Sequence, residues 1–116
     1  MIVDDEEAAR YGMRRALTTL GYNISEAGSA EAARALLKTH EPDLLLLDVN
    51  LPGMSGLDLV SELRTRNIET PAILITSHPA QSLRDRAAAA HIPIIEKPLL
   101  NSLLDHVRRV VSQAGN

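Results

Sequence analysis

Short aliphatic runs alternate with amphipathic stretches along this chain. Leu44, Leu45, Leu46 and Leu47 form an unbroken leucine run between Asp43 and Asp48, and Ala72 to Ile75 form another after Pro71. Apolar runs of that length without alternation predict strands buried on both faces, as in a parallel sheet covered by helices. Met1, Ile2 and Val3 predict a shorter strand of the same kind. Residues 22–27 alternate and predict a half-buried strand. Residues 92–96 predict a fifth strand, with Pro93 pointing to an edge position.

The intervening stretches have helical spacing. Met13, Ala16, Leu17 and Leu20 recur on one face, and Gly21 is suited to end that helix. Ser29 predicts the cap of a second helix, with Ala32, Ala33, Leu36 and Leu37 facing inward. Gly56 opens a third helix through Leu57, Val60 and Leu63, ending near Asn67. Residues 80–90 are rich in alanine and poor in large anchors, so the fourth helix is expected to be the least firmly packed. Leu100, Leu103, Leu104, Val107, Val110 and Val111 form the stripe of a last helix. The order is βαβαβαβαβα, which predicts parallel strands joined by right-handed helical crossovers. The expected architecture is a three-layer α/β sandwich, and residues 1–116 are read as one domain.

Composition narrows the function classes. There is no cysteine, which removes disulfides and thiolate metal sites. The formal net charge of −3 argues against direct nucleic-acid binding by this domain. Two tyrosines are the only aromatic residues, so there is no stacking platform for bases and the core must be aliphatic. No apolar run approaches the ~20 residues of a spanning helix, and no signal-peptide pattern opens the chain, so no membrane association and a cytoplasmic location are expected.

A parallel sheet brings the carboxyl ends of its strands to one edge, where ligands of such folds bind. Here those ends carry Asp4 and Asp5, Asp48, Thr76 and Ser77, and Lys97. Two carboxylates ~4 Å apart repel by about 4 kcal/mol at an effective dielectric of 20, so a cluster of three either raises its pKa values or recruits a divalent cation. An all-oxygen donor set with room for water suits Mg²⁺. Metal and lysine would together neutralise an incoming phosphoryl group while one aspartate attacks in line. Asp48, ending the buried central strand, is the candidate nucleophile. Asp4 and Asp5 are the candidate metal ligands, and Thr76 is a candidate donor to phosphoryl oxygens.

Asp4–Asp5–Glu6, Asp48 through Leu51–Pro52–Gly53 to Gly56, Thr76–Ser77 and Lys97–Pro98 stand in an order and spacing that resembles the bacterial response-regulator receiver domain. The likeness covers the whole chain. It implies a flavodoxin-like sheet of order 2-1-3-4-5. It implies phosphotransfer from a sensor histidine kinase or phosphotransfer protein onto Asp48. It also implies Mg²⁺ held by Asp5, Asp48 and the backbone carbonyl of Asn50, and a cis peptide before Pro98. On this reading the domain is a switch in two-component signalling or a phosphorelay. It takes part in its own phosphotransfer and slow dephosphorylation but is not a metabolic enzyme.

The resemblance places a switch region at Thr76, Ser77, His78 and Ile94, and an output or homodimer face on the fourth helix, fifth strand and fifth helix. Ile94 replaces the family's usual Tyr or Phe, Ala90–His91 its Gly-Ala, and Leu99 the aromatic after Lys-Pro. The first strand is short for a central one, so residues preceding Met1 and an effector domain beyond residue 116 are compatible with the pattern. Two rivals remain at this point. One is a pseudo-receiver that binds without being phosphorylated. The other is a small phosphohydrolase or nucleotide-binding enzyme, disfavoured because neither a GxxxxGK[ST] nor a GxGxxG loop occurs.

Overall fold

Every expected strand forms, and all pair in parallel in the order β2-β1-β3-β4-β5. The structure is a computed structural model and describes residues 1–96 and 107–111. Its elements are β1 (Ile2–Val3), α1 (Glu7–Thr19), β2 (Glu26–Ala27), α2 (Ala30–Leu36), β3 (Leu45–Asp48), α3 (Gly56–Thr65), β4 (Ala72–Thr76), α4 (Gln81–Ala89) and β5 (Ile94–Glu96). Residues 107–111 are helical. The rest of the predicted last helix, including Leu100, Leu103 and Leu104, lies outside the described residues, as do Leu99 and the Lys97–Pro98 peptide.

The leucine run explains the layering. Alternate residues of a strand point to opposite faces. Leu45 and Leu47 pack with α2, α3 and α4 residues such as Ala33, Leu59, Leu63 and Ala87. Leu44 and Leu46 pack with Met13 and Leu17 of α1 and with Val107. β3 and β4 are buried along their whole length, as a strand covered on both faces must be. The sheet is therefore the middle of three layers.

Two expectations are corrected in detail. The second strand covers Glu26–Ala27 rather than residues 22–27. It pairs with β1 at two positions, Ile2 opposite Glu26 and Val3 opposite Ala27. Backbone bonds from Ile2 N–H to the Ser25 carbonyl (2.9 Å) and from Asp4 N–H to the Ala27 carbonyl (3.1 Å) mark its extent. The inward face of α2 is set by Ala30 and Ala33, with Leu37 half-buried just beyond its end, whereas Ala32 and Leu36 are exposed. Alanines at four positions of a short helix leave its face undetermined by hydropathy. Packing decides it instead.

Other expectations hold. Ser29 caps α2 by accepting the Ala32 N–H at 3.0 Å. Gly21 follows α1 with φ +92°, and Asn67 follows α3 with φ 61°. β5 is an edge strand, and Pro93 stands just before it, its carbonyl accepting from Leu74 N–H at 2.9 Å. α4 has only Ala87 buried.

Candidate functional site

Strand register assembles the acidic cluster. Ile2 stands opposite Leu46 and Val3 opposite Leu47, so the next step brings Asp4 alongside Asp48. On the other side Asp48 pairs with Ile75, which puts Thr76 one residue further along the same edge. One oxygen from each of Asp4, Asp5 and Asp48 lies within 4.8 Å of the others. Asp4 and Asp48 are buried and Asp5 is exposed, so the cluster has a fixed floor and a solvent-facing side. Thr76 is 1% exposed.

Local hydrogen bonds hold these groups. Asp4 Oδ1 accepts the Glu6 N–H at 2.9 Å, which ties the carboxylate to the approach to α1. Asp48 Oδ1 accepts the Asn50 N–H, also at 2.9 Å, so this carboxylate and the loop after it are folded together. Thr76 Oγ1 accepts the His78 N–H at 3.3 Å. The Arg10 guanidinium donates to the Asp4 carbonyl and pairs with Glu26 at 3.5 Å, so α1 braces the β1 end from behind.

Gly56 is required by contact. A Cβ built there would stand 2.7 Å from the Asp48 carbonyl oxygen and 3.1 Å from the Leu47 Cβ. Only glycine lets α3 begin this close to the backbone of Asp48. Ser55, which was not singled out in the sequence, caps α3 by accepting the Asp58 N–H at 3.1 Å. A serine immediately before the helix-opening glycine is the signal that could have found it.

The donor set fits a hard divalent cation. It is all carboxylate, closely grouped, and open to water through Asp5. Asn50 lies two residues beyond Asp48 on the same loop, with its N–H bonded to the Asp48 carboxylate. Of the residues expected to form a switch region, Ser77 and His78 are exposed and Ile94 is half-buried, packed against the core cluster that contains the α3 leucines. Lys97 lies outside the described residues.

The description "Response regulator receiver domain" matches residues 1–108. The chain belongs to this family. Among curated relatives, the probable transcriptional regulatory protein TcrX of Mycobacterium tuberculosis is 40% identical over 88 residues, covering 76% of this chain and 37% of that protein. The response regulator MprA of a Mycobacterium species (strain KMS) is 31% identical over 120 residues, covering 99% of this chain and 51% of that protein. This receiver domain thus spans about half or less of the length of these relatives. Among solved structures, the chemotaxis response regulator CheY4 of Vibrio cholerae is 26% identical with a TM-score of 0.85, over 94% of each chain. A CheY-like receiver domain protein from Methanospirillum hungatei superposes with a TM-score of 0.90 at 23% identity, covering 98% of this chain and 93% of that one, a likeness of fold.

Membership establishes the broad role, a phospho-acceptor switch of two-component signalling rather than a metabolic enzyme. No helix among the described residues is long and apolar enough to cross a membrane.

Proposed function

We propose that Asp48 is the phospho-acceptor of this receiver domain, with Asp4 and Asp5 as its acidic partners and Thr76 and Lys97 as ligands of the arriving phosphoryl group. The observation that carries this reading is the meeting of three carboxylates at the carboxyl edge of the sheet, beside a buried threonine hydroxyl. A carboxylate oxygen of Asp48 forms the new P–O bond as the P–N bond of a kinase phosphohistidine breaks. The bonding pair returns to the imidazole nitrogen, so charge and atoms balance.

Asp5, Asp48 and the Asn50 carbonyl would hold Mg²⁺, with Asp4 fixing the floor of the site. Bound there, the metal supplies charge neutralisation for the phosphoryl oxygens. Asn50 N–H holds one oxygen of Asp48, which limits the rotation of the attacking carboxylate. Lys97, the residue after β5, supplies a second positive charge, and Thr76 can donate its hydroxyl proton to a phosphoryl oxygen. Slow loss of the phosphoryl group to water returns the domain to its resting form.

The switch then runs from Thr76 through residues 77–78 to Ile94 and the face that includes α4 and β5. Moving such an equilibrium from 1:99 to 99:1 requires about 5.5 kcal/mol of differential binding to the phosphoryl group. A cytoplasmic histidine kinase or phosphotransfer protein is the donor, a homodimer through that face is one output, and an effector domain on the same polypeptide is another. Incubation with acetyl phosphate and Mg²⁺ should add one phosphoryl mass to the protein and none to Asp48→Asn. An undiminished adduct in that variant, or no adduct in the wild type, overturns the assignment.

A further inference from the structure

We infer that two α2 side chains, Glu31 and Arg34, are positioning residues for the loop that carries the acceptor, a role that rests on the assignment of Asp48 above. Glu31 Oε1 accepts the Met54 N–H at 3.2 Å. The same oxygen is 2.8 Å from where a Cβ would stand on Gly53, whose φ is +77°. The loop therefore turns through a left-handed glycine directly against this carboxylate, and a side chain there would have to push it aside.

Arg34 completes the clasp. Its Nε donates to Glu62 Oε2 at 2.8 Å, and its Nη2 lies 3.5 Å from the Met54 sulfur. One helix thus grips the loop at Met54 and grips α3 at Glu62. Held between those points and Asp48 are residues 49–53, which include the Asn50 amide that orients the acceptor and the Asn50 carbonyl proposed for the metal. Hydrogen bonds from its own backbone N–H and from Met54 hold the Glu31 carboxyl below the usual carboxylate range, with Arg34 adding to them. The carboxylate is therefore the form that fits this clasp.

The contacts of both side chains described above are with the loop and α3. Their effect must be on loop geometry, and it is separable from fold stability by the probe chosen. Amide exchange at Met54 reports the clasp, and titration with beryllofluoride in the presence of Mg²⁺, followed by NMR, reports the assembled site. Glu31→Ala should speed Met54 exchange and weaken beryllofluoride binding roughly three- to tenfold, the effect of losing one orienting hydrogen bond. Glu31→Gln keeps an oxygen acceptor and should bind within about twofold of the wild type. Wild-type affinity in Glu31→Ala, or equal losses in both variants, overturns the positioning role. Unaltered Met54 exchange in Glu31→Ala overturns it whether or not the ligand binds. A wild type that fails to bind beryllofluoride counts against the Asp48 assignment instead.

Discussion

α3 and α4 lie on the same side of the sheet and are nearly equal in length, yet they are held very differently. α3 buries Gly56, Leu57, Leu59, Val60 and Leu63, and a serine caps its start. α4 buries Ala87 alone, and Ala80 at its start offers no side-chain cap. The strands follow the helices: β3 is buried throughout, whereas only Ile95 of β5 is. The proposed acceptor, Asp48, thus sits on the half of the molecule with deep aliphatic contacts, and the proposed readout sits on the half with few. The lesson is energetic. A switch needs a fixed point for the chemistry and a region whose alternative packing costs little. Low burial and weak capping provide the second.

The comparison can be broken most decisively in the core. Leu59→Ala should destabilise the protein by about 2–5 kcal/mol, whereas Leu83→Ala, at a half-buried α4 position, should cost less than about 1.5 kcal/mol. Chemical denaturation of the two variants checks this, and equal losses would remove the distinction between the halves. A smaller effect is expected where α3 meets the Asp48 backbone. Gly56→Ala must push against the Asp48 carbonyl and should cost about 1–3 kcal/mol, with Mg²⁺-dependent phosphorylation by acetyl phosphate reduced as well. Retained phosphorylation at full rate would show that the close approach serves stability alone. The smallest effect has the opposite sign. Ala80→Ser supplies the missing cap of α4 from an extended backbone and should stabilise that helix by about 0.5–1 kcal/mol, read as slower amide exchange across residues 84–89.

Much of this was legible in the sequence where one residue type admits one interpretation. The leucine run between two aspartates pointed to a doubly covered strand and forms one, and β4 runs from the residue after Pro71 to Thr76 as expected. The cluster of Asp4, Asp5 and Asp48 followed from strand ends sharing an edge, and the oxygens do meet. The inward face of α2 was misassigned because alanine fits either side of a helix, and the choice falls to the neighbours. The expected length of β2, residues 22–27, was too great because alternation reports which face each residue would show and not which residues find a ladder partner. The grip of Glu31 and Arg34 on residues 53 and 54 was invisible for a related reason. It joins positions far apart in the chain through a hydrogen bond to backbone, which has no side-chain signature.

The pairing of Val3 with Leu47 has one more consequence, for how this domain tolerates change. Asp4 meets Asp48 by counting: each is the next residue beyond a paired aliphatic position on parallel strands. Replacing one aliphatic residue by another along β1 or β3 leaves the count intact. Inserting or deleting a single residue before Asp4 or Asp48 would turn that carboxylate to the other face of the sheet. Descendants of this sequence should therefore exchange one aliphatic residue for another along these strands while the strand lengths stay frozen.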